Sequence, residues 1–237
     1  MATVLITGSA NGIGASIAKE FARNKYNVII NYNTSKDEAL TLKSELEKKY
    51  NVDVLTIKCD ISNELEVINM IDNAINHFKN IDVLINNAAL SLDNEIMDKT
   101  KEEFLRVLEV NVVGTFLVTK EVIRKSKIKT IINISSTDSV DTYSTLNIDY
   151  SSSKAGVNIL TKTFALKYPN IKIYAVMPNW VDSSSVLNMN KEYLKSEMQR
   201  IGQKKLISKE IVSKKVYELV NNNDNLNSGA IIRIDEV

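Results

Sequence analysis

A tyrosine and a lysine stand four residues apart in "IDYSSSKAG", residues 148–156. On a helix this spacing puts the Tyr150 phenol and the Lys154 ammonium on one face. A free phenol ionises near pH ~10, poorly matched to proton exchange at neutrality, and a neighbouring ammonium favours the phenolate and lowers that value. The pair is a candidate acid–base for a reacting oxygen. A second candidate is the turn "TGSANGIG", Thr7 to Gly14, with Gly8, Gly12 and Gly14 spaced G-x-x-x-G-x-G. Glycines between a strand and a helix let the backbone approach a ligand, and the N–H groups that open the helix suit a pyrophosphate. A third is "NNAA" (86–89), where paired amides need hydrogen-bond partners and small alanines leave room for a flat ligand.

Positioning these groups is the task of regularly alternating elements. Seven short apolar runs, at 3–7, 27–32, 52–59, 81–88, 129–135, 171–177 and 229–234, are rich in Val and Ile and lack in–out alternation. They read as parallel strands buried on both faces. Between them lie helical patterns: Ile13, Ile17 and Phe21; Leu65, Ile68, Ile71, Ile75 and Phe78; Val212, Val216, Leu219 and Val220. The alternation predicts an α/β fold, a doubly wound Rossmann-type domain with a seven-stranded parallel sheet and helices on both faces. No repeat, linker or low-complexity tract divides residues 1–237, so one domain is expected. The Asn-rich stretch 221–227 reads as a turn before the last strand.

Composition narrows the function classes. Net charge is +1, which gives no electrostatic case for nucleic acid or an anionic membrane. No apolar run approaches a membrane span, and the N-terminus lacks a signal-peptide pattern. The sole cysteine, Cys59, excludes an intrachain disulfide and reads as core. The sole histidine, His77, reads as an exposed helix end, so a His/Cys metal site is not expected. A cytoplasmic, metal-free protein follows as the expectation.

The motifs, taken in order, resemble the short-chain dehydrogenase/reductase family across essentially the whole chain. The likeness rests on "TGSANGIG", Asp60 in "KCDIS", "NNAA", Asn111 in "EVNVVGTF", "NISS", "YSSSK" and "MPNWVDSSS". It implies a nicotinamide-dependent oxidoreductase with a tetrad at Asn111, Ser136, Tyr150 and Lys154. Tyr150 exchanges the proton, Ser136 orients the substrate oxygen, and Lys154 also holds the nicotinamide ribose. Asn111 retains a relay water. Strand alternation allows only one of Ser135 and Ser136 to face the substrate, and Ser136 matches the family pattern. The implied cofactor contacts are Gly8, Ser9, Asn11, Gly12, Ile13, Gly14, Asn33, Asp60, Ile61, Asn87, Ala88, Ala89, Tyr150, Lys154, Pro178, Val181 and Ser183. Asp60 would accept from the adenine amino group, with Ser62 capping the helix that follows.

After the second run stand Asn31, Tyr32 and Asn33, with no carboxylate to bind the ribose hydroxyls of NAD. NADP is therefore preferred over NAD, and Lys36 is available to its phosphate. Departures from the family pattern fall around the substrate. Ala89 and Asn179 replace usual glycines, Asn179 being able to adopt a left-handed turn. The connection "STDSVDTYSTLNIDY" (136–150) is unusually polar and contains neither glycine nor proline. Overall spacing most resembles the 3-oxoacyl-[acyl-carrier-protein] reductases of fatty acid biosynthesis, which implies an acyl-thioester substrate and an acidic acyl carrier protein as partner. Lys125, Lys127 and Lys129 offer half of the basic patch for that carrier, or simply a solvated helix end. A sugar, polyol or other small-alcohol substrate stays open, as does a non-catalytic dinucleotide-binding regulator. Segment 184–207 is expected to form a partly apolar lid with Val186, Leu187, Met189, Tyr193, Leu194 and Met198. The resemblance also implies a homotetramer, or otherwise a dimer, packed through helices around 101–125 and 150–168.

Overall fold

The computed structural model describes residues 1–221 and 226–235. All seven expected strands form: β1 (Thr3–Ile6), β2 (Asn27–Tyr32), β3 (Val54–Lys58), β4 (Val83–Asn86), β5 (Thr130–Ile134), β6 (Lys172–Pro178) and β7 (Ile231–Ile234). They make one parallel sheet in the order β3-β2-β1-β4-β5-β6-β7. The order reverses between β1 and β4, the place where open α/β sheets leave a crevice at their carboxyl edge.

Helices cover both faces: α1 (Gly12–Arg23), α2 (Lys36–Tyr50), α3 (Glu64–Phe78), α4 (Lys101–Leu108), α5 (Thr115–Lys125), α6 (Ile148–Lys167), α7 (Ser184–Leu187), α8 (Lys191–Arg200) and α9 (Lys209–Asn221). The pleat explains the two-sided core. Val4 and Ile6 of β1 join a cluster with Ile17 and Phe21 of α1 and Val212 and Val216 of α9. Leu5 between them joins Val67, Ile71 and Ala74 of α3 and Val118 of α5 on the other face. Burying each such side chain contributes about 1.5–3 kcal/mol.

Three local expectations change. The buried stripe of α3 is Val67, Met70, Ile71 and Ala74, and Leu65 is 72% exposed. Leu65 lies about 200° around the helix from Val67, so only the latter meets the sheet. The cap of α3 is Asn63, whose side chain accepts from the Leu65 and Glu66 amides, and not Ser62. Between α4 and α5 the chain widens into a π-helical turn, Glu109–Gly114, which holds Asn111. Of the Asn-rich stretch at 221–227, residues 222–225 lie outside the described residues.

Candidate active site

The glycine turn is built from β1, β2 and β4 together. Asn31, buried at the end of β2, accepts from the Gly8 amide at 3.1 Å and donates to the Cys59 carbonyl at 3.0 Å. Asn87 donates to the carbonyls of Thr7 and Gly8, both at 3.0 Å. Thr7 Oγ1 in turn accepts from the Asn87 and Ala88 amides, each at 3.0 Å. Gly8 and Gly12 have φ of +58° and +57°, the left-handed region glycine tolerates. A Cβ at Gly8 would stand 2.8 Å from the Ala88 Cα, and one at Gly14 would stand 2.6 Å from Asn87 Nδ2. The two backbones meet with no space for a side chain.

A cleft of about 760 Å³ runs from this turn to Tyr150. Most of the expected site residues line it: Gly8, Asn11, Gly12, Ile13, Asn33, Asp60, Ile61, Asn87, Ala88, Ala89, Ser136, Tyr150, Lys154, Pro178, Val181 and Ser183. Three do not. Ser9 is fully buried and its hydroxyl donates inward to the Ile6 carbonyl at 2.8 Å. Gly14 packs against Asn87 behind the turn. Asn111 is buried, accepts from the Leu90 amide at 2.7 Å, and donates to the Leu90 carbonyl and Ser153 Oγ, both at 2.9 Å. Its amide anchors the segment after β4 to α6.

At the Tyr150 end of the cleft Lys154 Nζ donates to the Ile134 carbonyl at 2.7 Å and lies 5.4 Å from the centre of the Tyr150 ring. Burial lowers the Lys154 pKa to about 8. Burial also pushes the Tyr150 phenol above its ordinary value, the charge of Asp138 adds to the rise, and a hydrogen bond with Ser136 opposes it. The expected depression of the phenol by the ammonium is therefore absent in this state. The cation sits over the ring and its burial weakens it. Ser136 is the serine toward Tyr150, because Ser135 Oγ turns to the Lys154 carbonyl at 3.2 Å.

The adenosine end also differs from expectation. Lys36 opens α2 but does not line the cleft; Asn33, Thr34 and Ser35 do. Asp60 keeps Ser62 Oγ at 2.6 Å and Arg106 at 2.8 Å. Partial burial raises its carboxyl pKa, and the bonds from Ser62 and Arg106 outweigh that and hold it below the usual range. Arg106, from α4, is 46 residues from Asp60, so no local pattern announced the pair. Cys59 lies on the cleft floor with its thiol pushed up to about 12 by burial, which makes it inert. His77 is at the exposed end of α3, paired with Asp53 at 2.7 Å.

On the substrate side, Asn179 keeps a negative φ. Its side chain accepts from the Trp180 amide at 3.1 Å instead of forming a left-handed turn. Gln203 brackets Trp180, accepting from its amide at 3.1 Å and donating to its carbonyl at 2.8 Å. Val181 bridges to Ile207 and fixes the loop below Ser183. Of the lid residues, Val186 and Met189 line the cleft, whereas Leu187 is 57% exposed. Tyr193 lies 3.1 Å from Ser144 Oγ, hydroxyl to hydroxyl, which ties α8 to the polar connection.

The family model for short chain dehydrogenases matches residues 2–194. The chain belongs to the short-chain dehydrogenase family. It is an oxidoreductase, and two named relatives are similar to it over most of its length. Glucose 1-dehydrogenase 2 of Bacillus subtilis (strain 168) is 31% identical over 244 aligned positions, covering 98% of this chain and 93% of the relative. The 3-oxoacyl-[acyl-carrier-protein] reductase FabG of Staphylococcus epidermidis is 34% identical, covering 83% of this chain and 81% of the relative. A short-chain dehydrogenase/reductase from Serratia marcescens superposes with a TM-score of 0.90 at 27% identity, covering 99% of this chain and 96% of that one. A short-chain dehydrogenase from Burkholderia cenocepacia, solved in complex with NADP, shares the fold with a TM-score of 0.92 at 23% identity, over 99% of this chain and 96% of its own.

Proposed function

We propose that the protein interconverts a carbonyl and a secondary alcohol, with a nicotinamide dinucleotide lying along the cleft. One observation carries this reading: Ser136, Tyr150 and Lys154 line the same cleft as the glycine turn at Gly8–Gly12. The turn fits a pyrophosphate because its backbone approaches Ala88 closely and opens α1 toward the cleft. When bound, the nicotinamide supplies or accepts the hydride. Ser136 orients the substrate oxygen, and Tyr150 gives it a proton in reduction. A neutral phenol held protonated by burial is ready for that direction. Lys154, fixed to the Ile134 carbonyl, is placed beside Tyr150 to hold the nicotinamide ribose.

Cofactor choice is read as NADP, with NAD as the second possibility. At the end of β2 the cleft is lined by Asn33, Thr34 and Ser35, none a carboxylate that would repel a 2′-phosphate. Docking of an acidic acyl carrier has less support. Lys125 is paired with Asp72 at 2.5 Å and Lys129 with Asp82 at 3.3 Å, and both precede β5 while Ser136 follows it. The deciding experiment follows NADPH and NADH oxidation with hydroxyketones, sugars and an acetoacetyl thioester. Tight cofactor binding with no turnover of any carbonyl would favour a regulatory dinucleotide binder.

A further inference from the structure

The polar connection between Ser136 and Tyr150 places an acid in the cleft. Asp138 lies two residues after Ser136 and lines the cleft together with Tyr150, where its charge adds to the rise that burial gives the phenol pKa. Its Oδ1 accepts from Thr142 Oγ1 at 2.8 Å and its Oδ2 from Asn147 Nδ2 at 3.4 Å. Its backbone amide donates to Ser136 Oγ at 3.2 Å, so the carboxylate and the substrate-orienting hydroxyl are set by one turn. Both neighbours of the carboxylate are neutral donors. Among the described residues no cation stands within ion-pair distance of it; Arg200 acts on it only at longer range. A carboxylate has about four acceptor sites, so two bonds leave acceptor capacity for a ligand.

Asp93 enters the same cleft from the segment after β4, bonded to Ser91 Oγ at 2.8 Å, and its charge also reaches Tyr150. That segment is held in place by Lys99. Its Nζ donates to the Leu92 carbonyl at 2.5 Å, Asn94 Oδ1 at 2.6 Å and Asp149 Oδ2 at 3.0 Å. Two carboxylates thus line the cleft that holds Tyr150, Asp93 exposed and Asp138 half-buried. An anionic group bound beside them meets repulsion, and a hydroxyl or ammonium meets an acceptor.

We propose that Asp138 determines specificity at this site, accepting a hydrogen bond from a hydroxyl or ammonium carried near the reacting carbonyl and excluding carboxylate-bearing and phosphate-bearing substrates. This rests on the hydride-transfer reading above. It favours a small hydroxylated or amino-substituted carbonyl compound, or the matching alcohol, over a phosphopantetheine thioester.

The test uses the full chain and four probes of similar size: hydroxyacetone, aminoacetone, butanone and pyruvate. Two readouts are compared, kcat/KM by nicotinamide absorbance and binding to the cofactor-loaded protein by Trp180 fluorescence. Trp180 is the chain's sole tryptophan and lines the cleft. Hydroxyacetone and aminoacetone are expected to exceed butanone by at least tenfold, and pyruvate to fall at least tenfold below it. Asp138→Asn keeps the shape and one acceptor, and it is expected to reduce the hydroxyacetone-to-pyruvate ratio at least tenfold. The ratio between hydroxyacetone and aminoacetone tells hydroxyl from ammonium. Equal treatment of hydroxyacetone and pyruvate by the wild type, or an unchanged ratio in Asp138→Asn, would overturn the assignment. The wild-type ranking decides it even if the variant does not fold. Ranked binding without any turnover would instead reject the hydride-transfer reading and leave the specificity assignment standing.

Discussion

Lys154 Nζ donates to the carbonyl of Ile134 at 2.7 Å, so the last residue of β5 holds the cation that accompanies Tyr150. The amine is buried and its pKa is lowered to about 8. A lowered lysine pKa means that above pH 8 the folded state releases a proton that the unfolded chain keeps until about pH 10.4. The contribution of this group to stability therefore rises as pH increases from 8 to 10. The gain is about 2 kcal/mol over those two units. Urea unfolding of the ligand-free protein at pH 8 and pH 10 should show this rise relative to Lys154→Met, in which it is absent. A parallel pH response in the two proteins would contradict the burial-driven shift.

Tyr150→Phe removes the proposed proton donor and leaves the ring over which Lys154 sits. Turnover should fall by about 10²–10⁴-fold, with cofactor affinity changed little. Ser136→Ala should lower kcat less, since the phenol remains. Steady-state rates and Trp180 fluorescence titrations separate the two effects. Wild-type activity in Tyr150→Phe would remove the residue from the mechanism.

Lys99 and Asp149 form a buried ion pair, with side chains 3% and 0% exposed. Lys99→Met leaves the Asp149 charge without its cation and should cost about 3–5 kcal/mol in urea unfolding. Replacing both residues with apolar ones should restore much of that loss. If the double variant is as unstable as the single one, the pair acts by packing and not by charge.

Gly14→Ala forces a methyl to within 2.6 Å of Asn87 Nδ2 and 2.7 Å of the Gly8 carbonyl. Asn87 holds the turn, so cofactor binding should be lost along with about 1–3 kcal/mol of stability. Gly12→Ala has its nearest atom at 4.0 Å, in Ser183, and suffers backbone strain alone. Affinity for NADPH should fall further in Gly14→Ala than in Gly12→Ala; the reverse order would mean the turn tolerates the displacement of Asn87.

The outer faces of α4, α5 and α6, with the turn between α4 and α5, expose Leu105, Val113, Phe116, Ile159 and Leu166, the last 86% exposed. Single exposed apolar residues are ordinary, but residues 159 and 166 are two helical turns apart on one face of α6. Self-association through these helices should be weakened by Val113→Glu combined with Leu166→Glu. Sedimentation should show a larger species for the wild type and a smaller one for the variant. A wild-type monomer would exclude this interface.

Much of the fold was legible because Val/Ile runs and helical spacing are local signals. Phe21, Ile71 and Val216 fall inward where their periodicity put them. The cleft lining followed from motif order, and Asn33, Asp60 and Ser136 all reach it. What was not legible depends on distant partners. Arg106 meets Asp60 and Lys99 meets Asp149 across 46 and 50 residues, and neither half of either pair carries a local mark. The inward turn of Ser9 depends on one rotamer, and the negative φ of Asn179 on one side-chain bond to Trp180. The polarity of 136–150 was visible as an oddity, but that Asp138 and Tyr150 from its two ends line one cleft was not.

The bond from the Asn87 amide to Thr7 Oγ1 spans 80 residues of chain. Strand β1 therefore stays without its second neighbour until β4 has been made and docked, a loop closure that is slow compared with helix formation. The glycine turn at Gly8–Gly14 matures only at that step. Dinucleotide can then stabilise the finished fold by mass action, yet it has nothing to grip in a chain that has emerged only as far as β3.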